Sequence, residues 1–145
     1  MDNIIVRLIK HGSKEYEESL ALRDEILRKP IGLRIDDEDL SGEQSDIHIG
    51  AFDGDTLVGI LLLTETDKNE TQMRQVAVAQ DYQGTGIGKH LVNFCEQTAK
   101  DTGYKSIRLH ARITAVPFYK YMNYTTVGDM FKEIGIPHYE MEKKL

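Results

Sequence analysis

The sequence predicts a single mixed α/β domain in which a central sheet of about seven strands is flanked by helices. The chain has 145 residues, which suits one domain with a sizeable core. Its apolar residues change along the chain between a period of two, typical of strands, and a spacing of three or four, typical of helices. There is no internal repeat, and the prolines are scattered at positions 30, 117 and 137. We therefore expect residues 1–145 to form one domain.

The first half of the chain predicts one strand, one helix and then three strands. The helix over residues 14–28 begins after Ser13, a suitable N-cap, and Pro30 ends its pattern. The acidic segment Asp36–Glu43 is expected to be a loop or a short helix. The sequence Asp-Gly-Asp between the second and third strands favours a hairpin turn. The strands are predicted at Ile4–Ile9, Ile47–Phe52, Thr56–Thr64 and Gln72–Ala79.

The second half begins with a glycine-rich loop and a helix from Gly86 to about Thr102, where Gly103 gives a suitable end. The strand 105–112 alternates, so that Ile107, Leu109 and Ala111 lie opposite Arg108, His110 and Arg112. A short helix is predicted at 115–121 and two last strands at 124–131 and 138–143. The predicted order is β-α-β-β-β-α-β-α-β-β.

Composition limits the classes of partner. The net charge of −6 argues against nucleic acid, which needs a basic face, but permits a small anion bound by a local cluster. No apolar run reaches the length of about 18 residues that a membrane span requires. The single cysteine, Cys95, fits a reduced, cytoplasmic setting and is expected to be a small buried apolar residue. The histidines lack the spacing of metal ligands, so no metal site is expected.

The loop sequence Gln-Gly-Thr-Gly-Ile-Gly, residues 83–88, lies between a strand and a helix, where free backbone N–H groups favour an anion. A Walker A loop would need glycine at position 83 and a hydroxyl residue at 90, where the sequence has Gln83 and His90. A dinucleotide fingerprint would need a third glycine at position 89, where Lys89 stands. Both motifs therefore fit poorly.

The loop instead matches the pattern Gln/Arg-x-x-Gly-x-Gly/Ala completely, and here the sequence resembles the GCN5-related N-acetyltransferases (GNAT). The segment ARITAVPFYKYMNY, residues 111–124, resembles the last coenzyme-binding helix of that family. Asn123 replaces the usual glycine there, a mild departure because asparagine tolerates the left-handed conformation. The order of elements agrees with the GNAT fold from end to end.

The resemblance implies acetyl-coenzyme A as cosubstrate. It places the pantetheine arm against the backbone of one strand and the pyrophosphate against the loop, and it makes Tyr119 the acid that protonates the leaving thiolate. Tyr119 could alternatively be a packed aromatic residue of a short helix. The implied coenzyme contacts are Val76, Ala77, Val78, Gln83, Gly84, Thr85, Gly86, Ile87, Gly88, Lys89 and Phe118.

The C-terminal sequence EIGIPHYEM resembles a subgroup that contains the ElaA-like acetyltransferases and the glyphosate N-acetyltransferases. That resemblance makes His138 the general base, although a strand histidine at a sheet edge is the plain alternative. It also implies a substrate clamp of Arg23, Arg74 and Arg112, and regular alternation would put Arg74 on the side of its strand shared by Val76 and Val78. Guanidinium groups bind carboxylate or phosphonate through two parallel hydrogen bonds.

The expected function is acetyl transfer, by direct attack, to the amine of a small acidic metabolite. Two alternatives stay open at this point: acetylation of a protein or peptide amine, and a non-catalytic sensor of acyl-coenzyme A. A homodimer paired through the C-terminal strands is possible in this family.

Overall fold

The computed structural model of the protein describes residues 3–145. Within them a seven-stranded sheet is flanked by three α-helices and several short helical turns. The strands are β1 (Ile4–Ile9), β2 (Ile47–Asp53), β3 (Thr56–Glu65), β4 (Glu70–Val78), β5 (Ser106–Arg112), β6 (Thr125–Glu133) and β7 (Ile136–Lys144). The helices are α1 (Lys14–Arg23), α2 (Ile87–Thr102) and α3 (Val116–Tyr121).

The predicted order of elements and the fold class are confirmed. In space the strands follow the order β1-β2-β3-β4-β5-β7-β6. All neighbours are antiparallel except β4 and β5, which α2 connects as a parallel pair. No helix in residues 3–145 is both long enough and apolar enough to cross a bilayer.

The first helix differs from the uniform helix predicted over residues 14–28. Ser13 caps α1 as expected, since its Oγ accepts a hydrogen bond of 3.2 Å from the N–H of Tyr16. After Arg23, however, the chain continues as one π-helical turn, Asp24–Arg28, and a 3₁₀ turn. The π turn changes the phase of the helix, so that Arg23 before it and Arg28 at its end face different surroundings.

Helix α2 packs closely on the sheet. A side-chain Cβ at Gly59 of β3 would lie 2.9 Å from Leu91 Cδ1, so any larger residue there would force the Leu91 side chain to shift. The buried stripe of α2 includes Leu91, Cys95 and Ala99, all fully buried. Cys95 is thus the buried apolar residue that the sequence predicted, and burial raises the pKa of its thiol.

Strand β4 contains a bulge at Gln75, whose φ of +58° is unusual for a residue other than glycine. Met73 belongs to the core on the α2 side, and Val76 and Val78 pack against that same core. Ala77 packs instead beneath α1. Regular alternation would place Met73 opposite Val76, so the bulge reverses the alternation within the strand. The prediction that Arg74 shares a side with Val76 and Val78 is therefore wrong.

The bulge coincides with a split in the sheet. Ladder pairing between β4 and β5 ends at Met73 and Leu109, although β4 runs on to Val78 and β5 to Arg112. The two strands diverge beyond this point. Their divergence opens the sheet in its middle, between the first four strands and the last three.

Candidate active site

A cleft of about 350 Å³ lies where β4 and β5 separate. The bulged part of β4 and the end of β5 form its walls, and the 3₁₀ turn Ile113–Ala115 and the β6–β7 turn complete it. The residues Arg74, Arg112, Tyr119 and His138 all line this cleft. The structure thus brings together four site residues that lie far apart in sequence. Arg23 does not border the cleft.

The glycine loop leads into α2 with its backbone exposed. Gly84 and Gly86 have φ angles of +76° and +92°, which side-chain-bearing residues rarely adopt, and no atom lies within 4 Å of a Cβ built at either. No side chain caps the start of α2. The start of α2 thus follows an exposed loop and has no side-chain cap, an arrangement that suits an anionic group.

The side chains around the loop mostly support its conformation. Gln83 donates a hydrogen bond of 3.0 Å to the carbonyl of Val78, and the Thr85 hydroxyl donates to the carbonyl of Tyr82. Ile87 is almost fully buried in the core. Lys89 lies exposed with its Nζ 3.4 Å from the Tyr121 hydroxyl. Gln83 and Thr85 are exposed as well, but these hydrogen bonds engage their side chains with the neighbouring backbone.

Helix α3 connects the loop to the cleft through two adjacent aromatic residues. The Phe118 ring lies against α2, 3.5 Å from the position of a Cβ at Gly88. Tyr119 packs edge-on against Phe118, with ring centroids 5.1 Å apart, and borders the cleft. Burial raises the pKa of the Tyr119 phenol, which therefore stays protonated at neutral pH and can act as a proton donor.

His138 lies on β7 opposite Arg112 of β5 and is almost fully buried. Its Nδ1 is 2.7 Å from the carbonyl oxygen of Ile136. Because a carbonyl oxygen only accepts hydrogen bonds, Nδ1 carries a proton. The Nε2 of the neutral ring is then free to accept one, which is the form that a general base needs.

Two arginines supply positive charge to the cleft. Arg112 contacts the carbonyl of Leu27 at 3.4 Å, and Arg74 contacts the Thr64 hydroxyl at 3.4 Å. Neither has a carboxylate within salt-bridge distance among residues 3–145. Partial burial and the charge of nearby Arg28 lower the pKa of Arg112.

Comparison with known proteins identifies the family. A family model described as an acetyltransferase (GNAT) domain matches residues 22–145. The chain belongs to the GNAT acetyltransferase family. It is 26% identical over 137 residues to the N-acetyltransferase YjcF of Bacillus subtilis, covering 94% of this chain and 97% of that one. The family match and the name of this relative identify the protein as an N-acetyltransferase.

Solved structures with the same fold agree with this assignment. Escherichia coli ElaA superposes with a TM-score of 0.85 over 97% of this chain and 99% of its own, at 21% identity. A GNAT acetyltransferase from Elizabethkingia anophelis, solved with acetyl-CoA bound, superposes with a TM-score of 0.70 over the whole of both chains, at 20% identity. At these identities the likeness concerns the fold, so the narrower resemblance to the ElaA-like subgroup stays a prediction.

In this GNAT domain the arginine that reaches the cleft from the first helical segment is Arg28 rather than Arg23. Arg28 donates to the Glu38 carboxylate and, at 3.0 Å, to Gln75 Oε1. It therefore ties the acidic segment to the bulge of β4 at the edge of the cleft. Sequence reasoning missed this residue because the phase change of the π turn has no signal in the apolar pattern.

Arg23 lies instead in a buried network beneath α1. It is 1% exposed and forms two hydrogen bonds, of 2.7 and 2.6 Å, to the Glu43 carboxylate, which also accepts one from Tyr16. Burial alone would raise the pKa of Glu43, but the bonds and charge of Arg23 outweigh burial, so that its pKa is lowered. The predicted place of Arg23 in the substrate clamp is wrong for this structure, because both arms of its guanidinium group are engaged elsewhere.

Proposed function

We propose that the protein transfers the acetyl group of acetyl-coenzyme A to the amine of a small compound that carries a carboxylate, phosphonate or phosphate group. The observation that supports this acceptor class is the pair Arg74 and Arg112, which border the cleft without a carboxylate partner among the described residues. Two partly buried cations without counter-ions are costly unless an anion joins them. The same cleft holds Tyr119 and His138, the proposed acid and base.

The residues present fit the coenzyme. The left-handed glycines and the uncapped start of α2 give a backbone surface for the pyrophosphate. Beyond Met73 the backbone of β4 has no ladder partner on the β5 side, so residues 76–78 are available to an extended chain such as the pantetheine arm. The Ala77 side chain is buried, so that residue could contribute only its backbone.

The proposed chemistry is direct attack by the acceptor amine. Bound acetyl-coenzyme A would supply an acetyl thioester with a thiolate leaving group. His138 Nε2 takes one proton from the acceptor ammonium, and the neutral amine then forms a C–N bond to the carbonyl carbon as the C–S bond breaks. Tyr119 gives its phenolic proton to the sulfur. The second nitrogen proton restores Tyr119, the first leaves His138 for solvent, and the products are an amide, a thiol and one proton.

An acceptor screen tests this function. Thiol release from acetyl-coenzyme A is measured with amino acids, aminophosphonates, amino sugars and simple alkylamines, for the wild type and for Arg112→Ala. We expect the acidic amines to be the best acceptors, and the substitution to lower their kcat/KM by about 10-fold or more, the usual effect of removing one charged hydrogen-bond partner.

The alkylamines serve as the internal control, because their turnover should change little in Arg112→Ala. An equal loss with all amines would contradict the acidic clamp. Acetylation of proteins but not of small amines in a cell extract given labelled acetyl-coenzyme A would favour a protein acceptor. Coenzyme binding without turnover on the whole panel would favour a sensor.

A further inference from the structure

A negatively charged side chain, Glu133, borders the cleft together with the two arginines. Glu133, the last residue of β6, is about half exposed and lies beside both cleft histidines. Its Oε2 is 3.7 Å from His138 Nε2, and its two oxygens are 3.3 and 3.4 Å from His110 Nδ1. The carboxylate is therefore held at the mouth of the cleft, next to the nitrogen that we propose as the base.

Glu133 differs from the other cleft carboxylate in its partners. Glu38 is bound through both oxygens by Arg28 and is thereby neutralised. The partners of Glu133 among the described residues are imidazole nitrogens, and no lysine or arginine of residues 3–145 pairs with it. Its negative charge thus remains available to a cation in the cleft.

The distance between two acceptor atoms, His138 Nε2 and Glu133 Oε2, suits a nitrogen that carries several N–H donors. His138 Nδ1 carries a proton because it lies against the Ile136 carbonyl, so Nε2 presents a lone pair. At 3.7 Å, Nε2 and Glu133 Oε2 are too far apart to bond each other directly. One ammonium nitrogen placed between them can reach both at ordinary hydrogen-bond lengths of about 2.8–3.0 Å.

We propose that Glu133 binds the ammonium group of the acceptor and presents it to His138. This inference rests on the proposed function and narrows it to zwitterionic acceptors, with a primary amine at Glu133 and an acidic group at Arg74 and Arg112. The ion pair with Glu133 orients one N–H toward His138 Nε2, which removes that proton. Glu133 then stays beside the imidazolium and compensates its charge.

Matched pairs of compounds test the role of Glu133. Each pair contains an acidic amine and the same acid without its amine: L-aspartate and succinate, L-glutamate and glutarate, 3-aminopropylphosphonate and propylphosphonate. The pair used is the one whose amine is turned over with the highest kcat/KM. KM is measured for the amine and the competitive inhibition constant for its amine-free partner, in the wild type and in Glu133→Gln.

We expect Glu133→Gln to raise the KM of the amine by about 10-fold or more, because a charged hydrogen bond is lost. The inhibition constant of the amine-free acid should stay the same or fall, since a negative charge near an anion has been removed. Arg112→Ala should instead weaken the binding of both the amine and the amine-free acid. A higher KM for the amine without a higher inhibition constant for the amine-free acid distinguishes the loss of an ammonium-binding site from a general loss of the cleft's shape.

Glu140→Gln is the control variant. Glu140 lies on β7, 3.8 Å from His110 Nε2 and 3.3 Å from Arg108 Nη1, and does not border the cleft. Its substitution should leave both constants unchanged. Turnover of the amine with the same KM in Glu133→Gln and wild type overturns this inference alone. Absence of thiol release with every amine overturns the proposed function, and the inference with it.

Discussion

The Tyr119 side chain combines burial with access to the cleft, and this combination gives a testable role. Its phenol keeps its proton because burial raises its pKa, so it can protonate a leaving thiolate. Tyr119→Phe removes the proton donor and keeps the ring that packs against Phe118. We expect kcat to fall by about 10²-fold while the KM for acetyl-coenzyme A stays nearly constant, as measured by initial rates of thiol release.

Tyr124→Phe is a matched control for that substitution. Tyr124 is also buried, and its ring lies 5.8 Å from the Tyr119 ring, but its hydroxyl donates to Glu96 at 2.9 Å on the core side of the sheet. Removing this hydroxyl should lower stability by about 1 kcal/mol and leave kcat close to that of the wild type. A wild-type kcat in Tyr119→Phe would contradict the acid assignment.

The arginines show what the sequence could and could not predict at the scale of single residues. Arg112 was correctly placed opposite the buried side of its strand, because alternation in β5 is regular. The position of the Arg23 side chain depends instead on its hydrogen bonds to Glu43. Glu43 lies 20 residues away along the chain, in a segment without clear periodicity. A local pattern contains no information about such a partner.

At the scale of elements, two glycines at the junction of the loop and α2, Gly86 and Gly88, differ in backbone conformation. Gly86 has a left-handed φ of +92°, whereas Gly88 lies within the helix, where an added Cβ would make an ordinary contact of 3.5 Å with Phe118. Gly86→Ala should cost about 1–2 kcal/mol in stability and distort the loop. Gly88→Ala should be neutral or stabilise by up to about 1 kcal/mol.

If the loop holds the coenzyme through its backbone, the two variants should also differ in acetyl-coenzyme A binding. We expect Gly86→Ala to raise the dissociation constant by at least 10-fold, about 1.4 kcal/mol, and Gly88→Ala to change it little. Calorimetric titration with acetyl-coenzyme A measures both, and thermal unfolding checks that each variant is folded. Unchanged affinity in folded Gly86→Ala would contradict the proposed coenzyme site.

Most elements could be predicted because their signals are local. The hairpin of β2 and β3 follows from its turn residues, and α2 ends at Gly103, whose φ is +103°. Asn123 adopts the left-handed conformation that its type permits, with a φ of +72°. The bulge at Gln75 could not be predicted, because it has no local signal in the sequence, and the Gln75 side chain is bound by Arg28, which lies 47 residues away along the chain. This single irregularity reversed the predicted side of Arg74.

At the scale of the whole molecule, the Arg23–Glu43 pair connects parts of the chain that the sheet does not join. Tyr16 and Arg23 of α1 both bind the Glu43 carboxylate, and the carbonyl of Glu43 lies 2.8 Å from Nε2 of His48 in β2. Burial, together with the hydrogen bond to Glu43 and the charge of that carboxylate, raises the pKa of Tyr16 to about 12. The network thereby joins the segment around Glu43 to both α1 and β2.

Breaking this network should make the stability of the whole fold less dependent on pH. Glu43→Gln leaves the buried Arg23 charge without its partner, which typically costs about 3–5 kcal/mol. Because the pKa of Glu43 is lowered in the folded protein, its contribution is present above the ordinary pKa range of glutamate and is lost as the pH falls through the lower folded value. The difference between wild type and variant should therefore be largest at neutral pH and shrink in acid.

Urea unfolding of both proteins at about pH 7 and about pH 3 measures this difference. Asp36→Asn provides the control, since the Asp36 and Arg34 side chains are 78% and 69% exposed and their 3.3 Å pair is screened by solvent. That substitution should change the unfolding free energy by less than about 1 kcal/mol at either pH. An equal loss for Glu43→Gln at both pH values would mean that the carboxylate acts through shape and packing, and not through its charge on Arg23.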